Sequence, residues 1–298
     1  MSPRIAPCDA PSTYMRPAPA PVALPLVDLH AHTNVSDGTL SPRALVQAAK
    51  AAGLAAIAVT DHDHVGGLAD ARAEGALLGV EVIAGIELSA EDEVHLLGYF
   101  VEDAHPVFVE RLVSLRDARE RRGEHIVERL RAAGVSVTME QVRAHVAPGA
   151  ALGRPHVARA LVDAGVVRDI KEAFDRWLGD GRPGFVPKAR LSTAEAIALV
   201  HDARGVAVLA HPVTLTDWEG TLRRMAAEGL DGVEAAHSKQ DHAFSLRVLA
   251  VAAELDLAVT GGSDFHGENK PDVGLGSVLV DASVLDALRA RRVARHGR

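Results

Sequence analysis

The sequence predicts an α/β fold: a parallel sheet or barrel interrupted by an inserted helical subdomain. Three observations lead there. Short apolar runs alternate with helix-like stretches in both the first third and the last third of the chain. Each of several such runs ends in Asp, Glu or His. The alternation stops between residues 104 and 190, where the sequence turns long, charged and helical in period. The expected divisions are therefore a Pro/Ala-rich extension over 1–23, read as disordered, strand–helix units over 24–103 and 191–298, and a helical, basic insert over 104–190.

The elements follow in order. LPLVDLH reads as a strand entering a loop, and Ser41–Pro42 as the cap and first residue of a helix ending near Gly53. AAIAVT is a strand before TDHDH, and Gly66 to Gly79 carries Leu68, Ala71, Ala76 and Leu77 as a helix. VEVIAGIELSA and EVHLLGYFV are two strands in close succession. The insert opens with one long helix from about His105 to Ala133, and shorter helical runs broken by Gly and Pro continue to FVPKARLS. Alternation then resumes with a helix from Ser192 to about Ala203 and the strand GVAVLAHP. A helix over Trp218–Glu228, the strand LDGVEAAH, a helix over His242–Glu254 and the strand LAVTGGSDFH complete the pattern. In parallel barrels of such units, reactive residues gather at the C-terminal ends of the strands.

Composition narrows the function. At 48% hydrophobic and 24% charged residues, the chain has the makings of a soluble globular core. Aromatics are only 3%, which offers no obvious stacking platform for single-stranded nucleic acid. Cys8 is the lone cysteine, so a disulfide framework and a thiolate zinc site are both excluded. No run approaches the ~20 apolar residues of a membrane helix, and the extension lacks the apolar core of a signal peptide. A cytoplasmic location is expected. The net charge of -8 is uneven. Residues 104–190 hold 16 Lys and Arg against 11 Asp and Glu, and the rest of the chain is acidic. The acidic part suits a carboxylate-rich cation site, and the basic insert suits an anion-binding lid.

The chemistry-bearing pieces are DLHAHTNVSDG (Asp28, His30, His32, Asp37), TDHDH (Asp61, His62, Asp63), GIE (Glu87), VHLLGY (His95), AHP (His211) and GGSDFHG (Asp264, His266). On an extended segment, residues i and i+2 point to one side, so His30 and His32 can reach one ion. Asp264 and His266 repeat that spacing. With no thiolate available, the ligands would be imidazole and carboxylate, which suit Mn, Fe or Zn. Asp61 reads either as a group that assists proton transfer or as a brace for its loop. In GRPH, Arg154 reads either as a phosphate clamp helped by His156 or as an exposed charge beside the helix-starting Pro155. Lys188 in FVPK is a further phosphate candidate. His64, His237 and His242 are expected to be peripheral, and His105, His125, His145, His201 and His296 ordinary.

In their order, these pieces resemble the PHP family, named for its polymerase and histidinol phosphatase members. GRPHVARALVDAG and AFDRWLGDGRPGFVPK are in turn similar to the branch that contains nucleoside 3′,5′-bisphosphate phosphatases and 5′-to-3′ exoribonucleases. The resemblance implies a distorted (β/α)7 barrel with two or three divalent metal ions. It implies that His30, His32, Glu87 and Asp264 hold one ion, and that Glu87, His95 and His211 hold a second. Asp37, His62 and His266 would hold a third, with Asp37 standing where some relatives have histidine. The implied reaction is attack by a metal-activated hydroxide on the 3′-phosphate of a nucleoside 3′,5′-bisphosphate, or on short 5′-phosphorylated RNA from its 5′ end. Histidinol-phosphate hydrolysis and a non-catalytic accessory role are the alternatives. A small phosphorylated substrate is the expected partner, with no membrane and no stable protein partner.

Overall fold

The computed structural model describes residues 25–146, 152–187 and 190–297. The extension expected over 1–23, with Cys8, and the candidate Lys188 lie outside them. The elements alternate as β1 (Leu26–Ala31), α1 (Pro42–Ala51), β2 (Ala56–Val59), α2 (Leu68–Leu78), β3 (Glu81–Ser89) and β4 (His95–Tyr99). Four helices follow: α3 (Pro106–Ala132), α4 (Met139–Arg143), α5 (Arg154–Asp163) and α6 (Ile170–Ala173), the last running into a π-helical turn at Phe174–Leu178. The chain then forms α7 (Thr193–Asp202), β5 (Val206–Leu209), α8 (Trp218–Ala227), β6 (Gly232–His237), α9 (His242–Glu254), β7 (Ala258–Gly262), β8 (Val280–Asp281) and α10 (Ser283–His296). The local signals act as read. Ser41 Oγ accepts from Ala44 N at the start of α1, with Pro42 as its first residue. Ser192 and Glu195 form a reciprocal capping box on α7.

The sheet runs β7-β6-β5-β4-β3-β2-β1-β8. β7 returns beside β1 through Asp264 N to His30 O and His32 N to Phe265 O, both 2.9 Å, so the sheet nearly closes into a barrel. Two features depart from the all-parallel expectation. β4 is antiparallel to both β3 and β5. Residues 90–94 join β3 directly to β4, and a link that short cannot make the crossover that parallel pairing needs. The short β8 adds an antiparallel edge to β1 at Leu26 and Val27.

The hairpin matters for the site. It brings the start of β4 to the end of β3, with Ser89 opposite His95 and Glu87 opposite Leu97. Val27, Leu29, Ile83, Leu97, Tyr99 and Val208 form one buried apolar cluster, with Leu285 and Leu288 of α10 in it. Tyr99 is fully buried and donates its hydroxyl to Leu29 O at 2.9 Å. A larger cluster fills the space between the sheet and α1, α2, α7, α8 and α9. The helices after β4 have an apolar core of their own, including Ile126, Leu130, Val157, Leu161 and Leu178. α3 belongs to both: Phe108 and Leu112 pack with the barrel's cluster, Ile126 and Leu130 with the second.

Candidate metal centre

Glu87 sits at the middle of the site. It is 1% exposed on β3, two turns of the pleat above Ile83, so its carboxylate faces the same side as the apolar interior. Oε2 lies 3.1 Å from His30 Nε2, 3.0 Å from His32 Nε2 and 3.4 Å from His62 Nδ1. Oε1 lies 2.8 Å from His95 Nδ1 and 3.0 Å from His211 Nε2. Five imidazoles thus meet one carboxylate, delivered from the ends of β1, β2 and β5 and from the start of β4. Asp264, just past β7, adds Oδ1 at 3.6 Å from His30 Nε2 and 3.5 Å from His32 Nε2. Its backbone is left-handed (φ 60°), and His211 has φ 27°. Both side chains are held at sharp bends where strands end.

A second focus lies on the outer side of His32. Asp37 Oδ1 is 3.5 Å from His32 Nδ1 and 3.3 Å from His266 Nε2, and its Oδ2 is 3.8 Å from His62 Nε2. His32 and His62 each face both foci, one ring nitrogen to each. All nine ligand candidates named from the sequence therefore come together. Two groups of four ligand atoms each fall within 4.8 Å of one another: His30, His32, Glu87 and Asp264, and His32, Asp37, His62 and His266.

The donor set fits divalent cations. His32 Nδ1, His32 Nε2 and His62 Nδ1 are buried and make no hydrogen bond, although carboxylate oxygens lie 3.0–3.5 Å away. Ring nitrogens and carboxylate oxygens that are so close without hydrogen-bond geometry converge on a shared point, as ligands of one ion do. Burial opposes ionisation of Glu87, yet the surrounding histidines outweigh it and hold the carboxyl well below 4.5. Burial likewise opposes protonation of His30, but Glu87 and Glu234 raise it well above 6.5. At His62 burial wins over the pull of Glu87 and takes it down to about 3, leaving a neutral ring.

The supporting groups include residues that sequence reading missed. His237, expected to be peripheral, is 3% exposed on β6, with Nε2 3.4 Å from Asp264 Oδ2. Glu234, fully buried on the same strand, places Oε1 3.2 Å from His30 Nδ1 and accepts His211 N on Oε2 at 2.7 Å. A carboxylate behind a ligating imidazole fixes its tautomer and orientation. Asp28 accepts from Ser263 N, Ser263 Oγ, Gly276 N and His30 N, tying β1 to the segment after β7. Asp61 is spent in the same way. Its Oδ1 accepts Thr33 N at 2.8 Å and Ser36 Oγ at 2.7 Å, and its Oδ2 accepts Thr33 Oγ1 at 2.7 Å. Of the two roles open to Asp61, the geometry favours the brace.

The insert roofs the centre. A cavity of about 250 Å³ is lined by Asp37, His62, His95, Arg119 and His156. Arg119 of α3 pairs with Asp63. Burial lowers the Arg119 guanidinium to about 10, against the pull of Asp37. Nothing in the sequence set Arg119 apart from the other arginines of α3. His156 Nδ1 accepts Gly153 N at 2.9 Å and its ring reaches this cavity, but Arg154 does not. Residues i and i+2 of a helix point about 200° apart. Arg154 instead lines a separate cavity of about 350 Å³ with Arg122, Arg190 and Phe185. The sequence grouped Arg154 with His156, and α5 separates them. A wider opening of about 490 Å³ lies beside the outer focus, lined by His145, Arg159, His266 and Lys270 among others, so His145 too stands nearer the site than expected.

Known proteins agree with this layout. Residues 28–179 match the PHP domain model. The chain is 35% identical over 261 residues to a 3′,5′-nucleoside bisphosphate phosphatase of Chromobacterium violaceum, covering 83% of this chain and 90% of that one. It is 34% identical to the 5′-3′ exoribonuclease Rnm of Escherichia coli K12, covering 85% and 89%. A Bifidobacterium adolescentis protein assigned as a metal-dependent phosphoesterase superposes with a TM-score of 0.77 at 37% identity, over 91% of this chain and 98% of that one. A barrel with these ligand groups at its strand ends, and these relatives, leave one conclusion: the chain belongs to the PHP family of metal-dependent phosphoesterases.

Proposed function

We propose that this phosphoesterase removes the 3′-phosphate of nucleoside 3′,5′-bisphosphates and, by the same geometry, releases nucleotides from the 5′ end of short 5′-phosphorylated RNA. One observation carries the reading: the ligand-rich floor around Glu87 lies directly under a basic helical roof. His30, His32, Glu87 and Asp264 would hold one divalent ion, Glu87, His95 and His211 a second, and Asp37, His62 and His266 a third. Two or three ions of Mn, Fe or Zn would neutralise the phosphoryl oxygens and supply a water acidic enough to attack phosphorus at neutral pH. The chain's own groups do the rest. Glu234 orients His30, and Asp61 holds the turn that presents Asp37. Arg119 and His156 face the reacting phosphoryl group from above. Residues 104–190 act as the substrate-reading unit, with Arg154 and Lys188 as further phosphate contacts. Binding energy from a non-reacting phosphate then positions the reacting one. Among the described residues, no helix is long and apolar enough to cross a membrane; the cytoplasm is the proposed setting.

The test is phosphate release from adenosine 3′,5′-bisphosphate, AMP, histidinol phosphate and a short 5′-phosphorylated RNA, using protein of measured metal content. The bisphosphate and the RNA should be turned over well above AMP and histidinol phosphate. Faster turnover of histidinol phosphate than of the bisphosphate refutes the proposed substrate.

A further inference from the structure

Lys270 stands where two openings of the metal centre meet. It lines the wide opening beside the outer focus, and also one of about 380 Å³ that Glu87, His95, His211 and Asp264 line. It belongs to the barrel, in the segment after β7 that carries Asp264 and His266. Its backbone is pinned on both sides: Lys270 N donates to Gly267 O and Val273 N to Lys270 O, each at 3.0 Å. From that root the ammonium donates to Asp264 Oδ2 at 2.6 Å. The Asp264 carboxylate is buried, whereas the Lys270 side chain keeps about a third of its surface in solvent (31%).

That contact works against a metal ligand. Asp264 would hold an ion through its charge, and an ammonium on the same carboxylate draws on that charge. Nor is Lys270 needed to aim the carboxylate. His237 Nδ1 accepts Lys239 N at 3.1 Å, which leaves the proton of the ring on Nε2. That Nε2 faces the same Oδ2 at 3.4 Å from a fully buried ring. Asp264 thus has one fixed, neutral orienting group and one charged group on a flexible stem. An ammonium carries three donors. Among the described residues, Asp264 is the hydrogen-bond partner of the Lys270 side chain, and it takes one of them. The remaining donors lie at the mouth of the centre, where a phosphate ester must enter.

We infer that Lys270 is a catalytic residue supplied by the barrel itself: anchored on Asp264, its ammonium donates to an anionic oxygen of the phosphoryl group held at the metal centre. It weakens metal binding and strengthens the grip on the reacting group. The inference rests on the phosphoesterase reading of the centre, but not on which ester is the substrate. Lys239, exposed after β6, lines the same opening without pairing with Asp264, so it reports what a nearby positive charge does without that contact.

The experiment compares wild type, Lys270→Met and Lys239→Met in two measurements. The first is Mn(II) affinity by chelator competition. Lys270→Met should bind the ion several-fold more tightly than wild type, and Lys239→Met should change far less. The second is kcat/KM at saturating Mn(II), for a nucleoside 3′,5′-bisphosphate and for 4-nitrophenyl phosphate. Lys270→Met should lose roughly 10- to 150-fold, the effect of one lost charge-assisted contact. The loss should be alike on both esters, because they share the reacting group. A lysine that merely orients Asp264 predicts the reverse of the first result, so unchanged or weaker Mn(II) binding in Lys270→Met overturns the inference. Equal tightening in both variants does so too, since bulk charge then explains it, as does unchanged kcat/KM in Lys270→Met. Wild type that hydrolyses 4-nitrophenyl phosphate but not the bisphosphate defeats the proposed nucleotide substrate and leaves the test of Lys270 intact.

Discussion

Replacing Asp61 with asparagine separates bracing from proton transfer. The native carboxylate accepts three hydrogen bonds of 2.7–2.8 Å, two from the buried Thr33 and one from Ser36. Asparagine keeps one acceptor oxygen and turns an amide toward a hydroxyl that must rotate to meet it. One or two bonds to a charged acceptor, at about 1.5–3 kcal/mol each, become weaker neutral ones. The expected loss is about 2 kcal/mol, a large share of the roughly 5–15 kcal/mol that keeps a domain folded. The same three bonds hold the turn at 33–38, which carries Asp37 to within 3.3 Å of His266. Asp61→Asn should therefore lower the urea midpoint at constant m, and reduce metal content by up to one equivalent as the Asp37 focus loosens. Turnover should fall in step with the lost metal and recover as metal is added. A variant of wild-type stability and full metal content that has lost turnover a thousandfold, with one limb of its pH profile gone, would refute the bracing role and make Asp61 a proton carrier.

Three further outcomes follow from the same structure. Glu234→Gln takes the carboxylate from behind His30 Nδ1 and should weaken metal retention roughly 10- to 100-fold in a chelator competition, with the barrel's circular dichroism unchanged. Arg119→Ala removes the guanidinium that roofs the metal-side cavity and should lower kcat/KM about 10- to 150-fold for every phosphate ester tested; unchanged kinetics would take Arg119 out of the site. At the opposite end of the barrel, Asp231 accepts from His201, Ala207 N and Arg295. Burial opposes its ionisation, but these partners prevail and hold it below 3.8. Its contribution to stability is thus present above the ordinary carboxylate range and fades as pH falls through the lowered folded value. The stability gap between wild type and Asp231→Asn, measured by denaturant unfolding, should be full at pH 7 and shrink below about pH 4; a gap that widens with acid would reverse the assignment.

Much of the centre was legible because most of the candidate ligands end a strand or sit two residues from another, and barrel geometry turns that sequence rule into a spatial one; His95, at the start of β4, and Asp37, in the turn after β1, depart from it. Inside GVEAAH, which reads as an ordinary buried strand, Glu234 carries no mark and His237 reads as peripheral. The available signal was physical: a glutamate in the middle of an apolar strand is costly unless something inside is paired with it. Arg119 carried no signal, since only the path of α3 over the barrel distinguishes it from its neighbours. The divergence of Arg154 and His156 was readable from helix period alone, once Pro155 marked the start of a helix. The reversal of β4 was also readable, in the five residues that separate Ser89 from His95.

α3 gives the molecule a property of phase. Its 27 residues span about 40 Å as one unbroken rod, seated at one end by Phe108 and Leu112 and at the other by Ile126 and Leu130. No hinge lies between the two seats, so the roof takes its bearing from the number of residues between them. One residue added near Arg116 would advance everything beyond by about 1.5 Å and turn it by about 100°. Arg119 and Arg122 would turn together away from the cavities they line, with the floor beneath them unchanged. Seven added residues would restore the bearing to within about 20° and carry the far seat about 10 Å along the axis of α3. Helix length in this one segment therefore sets the position and heading of the roof over the cavity that Asp37, His62 and His95 line.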